Sequence, residues 1–282
     1  MKKHLSTILL VAVFLLGMCI LLYPTVSDYW NSLHQTRAIA GYAEDVAKLD
    51  TTQYDALWSD AQAYNRSLLN RETSYALSPD QQAAYDSLLD VSGQGIMGYI
   101  EIPEISCSLP IYHGTDESVL QIAVGHIEWS SLPVGGESTH CVLSAHRGLP
   151  TATLFTHLDR MEIGDTFRIT VLDRTLVYEV DQIKVVTPDD FTDIMITDGM
   201  DYCTLLTCTP YGINTHRLLV RGVRIETEQK RTLRVVSEAF IIDRLIVTPV
   251  VALPILLVLI VYVFLKPAKK KRPKLDERGE WK

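Results

Sequence analysis

Two uncharged runs bound what the rest of this chain can fold into. Leu5 to Tyr23 is 19 residues without a charge behind Met1-Lys2-Lys3, and Leu245 to Leu265 is 21 such residues followed by the basic stretch from Lys266 to Lys274. Each is long enough to cross the hydrocarbon layer of a bilayer, and Pro249 and Pro254 are tolerable inside a membrane helix. The first is long for a secretory leader, and no small-x-small cleavage site follows it, so it reads as an anchor. Basic residues flank both outer ends, which puts both termini in the cytosol and residues 24–244 outside.

Charge supports that division. Of the 26 Lys and Arg, 16 lie between the runs, against 31 of the 34 Asp and Glu. The external part is thus strongly acidic, which argues against a nucleic-acid partner and favours solubility. Five cysteines make no disulfide framework. Cys19 lies in the first run, and Cys107, Cys141, Cys203 and Cys208 lie outside. The first three of those four sit in strand-like runs and read as small core residues, with a Cys107–Cys141 bridge left open. No CxxC or similar spacing occurs, so neither a metal nor a cofactor is expected.

From Asp28 to Asp90 the apolar period is helical. Ile39, Tyr42, Val46 and Leu49 recur at three- and four-residue steps, as do Tyr54, Leu57, Ala61, Tyr64 and Leu68, giving two helices joined near Asp50-Thr51-Thr52. A third, short helix begins with Ser78 as N-cap and Pro79 in its first turn. From Gly98 to Ile225 the period becomes two. Runs beginning at Gly98, Cys107, His140, Thr166, Leu176, Tyr202 and Arg217 are short, β-rich and punctuated by Gly, Pro and Asp, with a helical interruption at Leu154–Met161. Seven or more short strands imply a closed barrel or a sandwich.

The chemistry concentrates in Asp201–Ile225. Tyr202 to Cys208 is one strand, Thr209 to Thr215 carries the Pro, Gly and Asn of a turn, and Arg217 to Val223 is a returning strand. If these pair antiparallel, Cys208 ends the first and Arg217 opens the second, with Cα atoms roughly 4.5–5.5 Å apart. A cation beside a cysteine favours the nucleophilic thiolate, and a guanidinium can hold a carbonyl oxygen as it gains charge. Among eight histidines, His146 ends a strand before Arg147-Gly148, where a loop opens onto a cleft. His216 is the rival, but as Arg217's neighbour on a strand it faces the other side.

TLLTCTPYGINTHRLLVRG (204–222) resembles the signature of the sortases, and specifically of class C, the pilus-assembling sortases. The segment Leu143–Phe167 resembles the surroundings of that family's catalytic His, and Met97–Thr115 the opening of its barrel. The resemblance spans roughly residues 97–225. It implies a closed eight-stranded barrel with short helices behind an α-helical N-terminal extension, and the two apolar runs set this between two transmembrane helices. It also implies Cys208 as nucleophile, His146 as the catalytic His and Arg217 as the catalytic Arg. Thr207, Tyr211 and Asn214 are further candidates for substrate contacts.

The chain thus divides into an anchor (1–23), a helical extension with a possible lid (24–95), a catalytic barrel (96–226), a linker (227–244), a second span (245–265) and a basic cytoplasmic tail (266–282). The implied activity is a membrane-anchored cysteine transpeptidase. It would cut an LPXTG-like sorting signal through a thioester and transfer it to a pilin lysine, its partners being proteins that carry the signal and an acceptor amine. One alternative acceptor is the peptidoglycan precursor of the wall. A non-catalytic β-module tethered to the membrane and binding wall or pilus components is a second alternative. A papain-like protease is disfavoured, because its Cys opens a helix and Cys208 ends a strand. Class C sortases carry an Asp-Pro-aromatic lid motif that is missing between Asn65 and Tyr85, where the nearest substitutes are Glu72 with Tyr75, or Ser78-Pro79-Asp80.

Overall fold

Eight strands close into a barrel, and the helices before them are fastened to it by buried polar side chains. The structure, a computed structural model, describes residues 2–69 and 75–226. Glu72, the expected linker, the second span and the basic tail lie outside the described residues. One described helix is long and apolar enough to cross a membrane, the N-terminal one. That helix, α1 (Lys2–Val46), runs through Pro24 without a break. The anchor and the first extension helix are therefore one element. Pro24 removes only a single backbone donor, and no glycine separates Tyr23 from Asp28.

Helix α2 (Thr51–Leu68) starts at a capping box in which Asp50 and Gln53 each satisfy the other's backbone N–H. Helix α3 (Pro79–Asp86) starts at the same device built from Ser78 and Gln81, with Pro79 in the first turn as expected. Such caps contribute about 1 kcal/mol each and set where a helix begins. Each helix then lends the barrel one buried polar group. Tyr42 of α1 donates to Met97 O and accepts from Leu172 N. Asn65 of α2 pairs with both the N–H and the C=O of Leu132. Tyr85 of α3 lies within 2.8 Å of His126 Nδ1 and accepts from Gly114 N. Burying such groups is favourable only because every one is paired, so these contacts select one docking of the helices.

The strands are β1 (Ile96–Ile102), β2 (Cys107–His113), β3 (Val124–His126), β4 (Thr139–Ser144), β5 (Thr166–Val171), β6 (Arg174–Val186), β7 (Asp201–Thr209) and β8 (His216–Ile225). They close in the order β1-β2-β3-β4-β7-β8-β6-β5. Neighbours are antiparallel except β2 with β3 and β4 with β7, which run parallel. The period-two runs anticipated seven of these strands. The eighth, β3, is three residues long and too short to show an alternation. The helical stretch expected at Leu154–Met161 is mostly turn, with a single 3-10 turn at Leu158–Arg160.

Inside the barrel, Phe167 and Tyr178 stack with centroids 5.5 Å apart. Gly222 passes beneath them, and a Cβ there would meet Phe167 Cε1 at 2.7 Å, so this strand position has room for hydrogen alone. Cys141 and Cys203 face each other across the β4–β7 pair and are buried in the same core. All five cysteines are free thiols. The Cys107–Cys141 bridge left open by the sequence is therefore not made: Cys141 on β4 stands two strands from β2, which carries Cys107, and its neighbour is Cys203.

A smaller apolar cluster lies on the outer face, where Val142, Ile194 and Leu219 are packed by Ile127, Trp129, Val186, Phe191 and Leu206. His140 is buried beside it. Its Nδ1 lies 2.9 Å from Met195 O and its Nε2 2.7 Å from Thr204 Oγ1. The carbonyl can only accept, so the proton sits on Nδ1 and the threonine hydroxyl donates to Nε2. Burial pushes the His140 pKa down from 6.5 to about 4. The unfolded chain therefore binds the extra proton over that interval, and stability is lost as pH falls from about 6.5 towards about 4, by about 3 kcal/mol. Urea unfolding of wild type and His140→Gln across this range measures it, the expected result being a flatter pH dependence in the variant.

Candidate active site

Three adjacent strands bring the expected residues to one end of the barrel. The parallel register pairs Ser144 of β4 with Leu206 of β7. The pairing continues one step beyond β4, where Ala145 N donates to Leu206 O at 3.2 Å. Two residues on from Ser144 and Leu206 come His146, in the loop just past β4, and Cys208, near the end of β7, so the pairing carries His146 towards the level of Cys208. On the other side of β7, Cys208 is paired directly with Arg217 of β8. The order across the sheet is His146, Cys208, Arg217. His216 is paired with Thr209, is exposed, and has Nδ1 3.0 Å from Thr215 Oγ1. It faces away from Cys208, as strand alternation predicted.

The face that carries Cys208 and Arg217 also carries the outer apolar cluster. Val142, Leu206 and Leu219 alternate down β4, β7 and β8 from His146, Cys208 and Arg217, so an apolar floor leads away from the half-buried thiol. Trp129 and Phe191 rim it. Tyr75 lies against that rim, with ring centroids 5.2 Å from Trp129 and 4.6 Å from Phe191. The segment proposed as a lid thus touches the groove floor's border, and Tyr75's ring contacts are with these two residues. Glu72 lies outside the described residues.

One position expected as a substrate contact, Thr207, acts on the scaffold instead, and the backbone of a second, Asn214, holds Arg217. Thr207 is 1% exposed, points into the barrel and donates its hydroxyl to Ala145 O at 2.8 Å. It braces the His146 strand against the Cys208 strand, because β7 alternation turns it away from the face Cys208 occupies. Asn214 sits at φ 61° in the turn, and its backbone carbonyl accepts from Arg217 Nη1 at 3.3 Å, alongside His216 O at 3.1 Å. The guanidinium is therefore held to its own turn. Tyr211 is exposed, as a substrate contact requires.

Three residues enter the site that sequence reading did not single out. Arg147 lies under the Tyr211 ring, with its guanidinium carbon 5.9 Å from the ring centroid, and Nη1 reaches Thr209 Oγ1 at 3.5 Å. Its Nη2 meets Asp159 Oδ2 at 2.5 Å, so this one side chain links the His146 loop to the turn after Cys208. Gly148, at φ 80°, lets Tyr211 approach. A Cβ at that position would lie 3.0 Å from the ring. Glu117, at the start of the one-turn helix α4 (Glu117–Leu120), places Oε2 3.6 Å from His146 Nε2. Its carboxyl is held below the usual range, chiefly by the hydrogen bond from Gln121 and then by His146. The sequence carried one cue for Arg147, its adjacency to His146, and none for Glu117, which is 29 positions away in the chain. No metal-ligand cluster occurs among the described residues.

Residues 100–225 match the sortase domain model. Sortase D of Bacillus subtilis (strain 168) is 33% identical over 151 residues, covering 52% of this chain and 73% of that protein. The chain belongs to the sortase family. Among solved structures, sortase C1 of Streptococcus agalactiae is 47% identical with a TM-score of 0.67, covering 68% of this chain and all of that one. Sortase C of Clostridium perfringens, solved with the C-terminal cell wall sorting motif, is 44% identical with a TM-score of 0.61, again over 68% of this chain and all of that one. A sortase C of Streptococcus pneumoniae, described in terms of pilin substrate specificity, is 46% identical with a TM-score of 0.60, covering 68% of this chain and 97% of the other. Sortases are cysteine transpeptidases, and this chain is a sortase with class C enzymes as its structural neighbours.

Proposed function

We propose that this sortase polymerises pilins outside the cell membrane, using Cys208 as nucleophile, His146 as general acid and base, and Arg217 as the oxyanion partner. The observation that supports this is the register across β4, β7 and β8, which pairs Cys208 with Arg217 and ends β4 two residues before His146, beside Leu206. The Cys208 thiolate attacks the Thr carbonyl of an LPXTG-like signal, and Arg217, released from the carbonyls of Asn214 and His216, steadies the oxygen as charge develops there. His146 protonates the departing Gly amine, leaving a thioester on Cys208. A lysine amine of the next pilin then attacks, gives its proton to His146, and expels the Cys208 thiolate as the new amide forms. Splitting the exchange into two acyl transfers keeps the energy of the cut bond for the new one.

The apolar floor of Val142, Leu206 and Leu219 suits the Leu and Pro side chains of such a signal. Tyr75 at the rim, beside Trp129 and Phe191, supports a cover over that floor which a substrate would displace. The apolar N-terminal helix supports membrane anchoring. The two-pass topology, with both termini cytosolic, rests on the two apolar runs and their basic flanks. Incubating the full chain with a pilin that carries the signal should give a ladder of covalent polymers. A single product linked to a peptidoglycan precursor, with no ladder, would assign the enzyme to wall anchoring instead. Failure of a sorting-signal probe to label Cys208 would return it to the class of binding modules.

A further inference from the structure

Beyond the apolar run, α1 does not simply lead to the barrel. Asp28, Asn31 and Gln35 stand three and four residues apart, so they form one face of the helix. Asp28 Oδ1 accepts from Thr153 N at 2.6 Å and from Thr153 Oγ1 at 2.8 Å. Asn31 Nδ2 donates to Thr151 O at 2.7 Å. Gln35 Nε2 donates to Ile122 O at 2.8 Å. Thr151 and Thr153 belong to the loop that leaves β4 at His146 and is closed by the bond from Phe155 N to His146 O. Ile122 follows α4, whose Glu117 faces the His146 imidazole. All three side chains therefore hold segments that end on His146. The far side of the loop is seated by the buried Leu154 and Phe155. Its tip, residues 149–152, packs Ala152 and Leu149 on the core and has no hydrogen bond other than Asn31's among the described residues.

We propose that Asp28, Asn31 and Gln35 are positioning residues for His146, so that the helix that anchors the chain also sets the aim of the imidazole. The inference rests on the assignment of His146 as general acid and base. Its physical logic is that exposed hydrogen bonds add little to global stability but fix a loop tip, and a misplacement on the order of 1 Å in an acid–base group can cost about 100-fold in rate. Five helical steps, about 7.5 Å of rise, lead from Tyr23 at the end of the apolar run to Asp28. A movement of the anchor would thus pass directly to the His146 loop.

The test uses the full-length enzyme in liposomes with a sorting-signal peptide and an amine acceptor. Asp28→Ala and Asn31→Ala should each lower kcat about tenfold with KM within about twofold, by the same positional argument. Their thermal midpoints should stay at the wild-type value. Asp28→Asn should restore the wild-type rate, because both bonds accept at Oδ1, an atom asparagine keeps. Amide exchange across residues 147–153 should quicken in the alanine variants. Asp45→Ala, on the same helix and paired with Lys48, is the control and should change nothing. Wild-type kcat in both Asp28→Ala and Asn31→Ala overturns the proposal. So does a lower midpoint with an unchanged rate per folded molecule, which would mark a structural role only. A still-active His146→Ala would sink the assignment of the acid–base group itself, whereas an inactive His146→Ala beside a fully active Asp28→Ala sinks the strap alone.

Discussion

Cys208→Ala and His146→Ala are each expected to lower transpeptidation by at least about 1,000-fold, while His216→Ala keeps more than half of the wild-type rate. Two histidines lie near Cys208 in sequence or across the sheet, and only strand geometry separates them. His146 follows β4 towards the level of Cys208, by the parallel pairing of Ser144 with Leu206. His216 is opposite Thr209 and exposed on the other face. Steady-state transfer of a labelled sorting-signal peptide to an amine measures all three variants. A His216→Ala enzyme as slow as His146→Ala would mean that the turn after β7 refolds on substrate binding and brings His216 round, and the general acid would have to be reassigned.

The second large effect concerns Arg217. Replacing it with Ala is expected to cost about 1,000-fold and with Lys about 100-fold, because losing an aligned oxyanion donor costs roughly 100- to 1,000-fold and an ammonium lacks the planar fork of a guanidinium. In the structure its Nη1 is shared between the carbonyls of Asn214 and His216. A lysine at this position could satisfy one carbonyl or the substrate oxygen with a point charge, but not keep the turn and meet the substrate along two directions. The loss should appear in kcat more than in KM, since the interaction strengthens as the carbonyl gains charge. A Lys variant with near wild-type kcat would show that charge alone is sufficient.

The continuity of the apolar N-terminal helix has a mechanical side that these substitutions do not probe. Because α1 is continuous from Lys2 to Val46, the anchor and the buried Tyr42 that docks on Met97 and Leu172 are parts of one rod. The barrel is thereby joined to the apolar run by a helix, whereas a flexible linker would have let it turn freely.

What the amino-acid order determined by itself was local. Period-two runs marked seven strands, Ser78-Pro79 marked a helix start, the junction of two helices was placed near Asp50, and the Cys208–turn–Arg217 hairpin was readable because its two strands are adjacent in sequence and its turn residues set the register. The rest was decided by contacts between segments far apart in the chain. The parallel pairing of β4 with β7, which sets His146 beside Cys208, joins strands separated by the whole of β5 and β6, and no period in either strand specifies it. The inward turn of Thr207 and the approach of Glu117 to His146 depend on that same closure. Three-residue β3 has no pattern to read and exists because its neighbours β2 and β4 offer unpaired backbone edges. The hold of Asp28 and Asn31 on the His146 loop spans 125 and 120 residues. As sequence, those side chains are two ordinary polar residues on a helix; only the barrel's closure brings Thr151 and Thr153 within their reach.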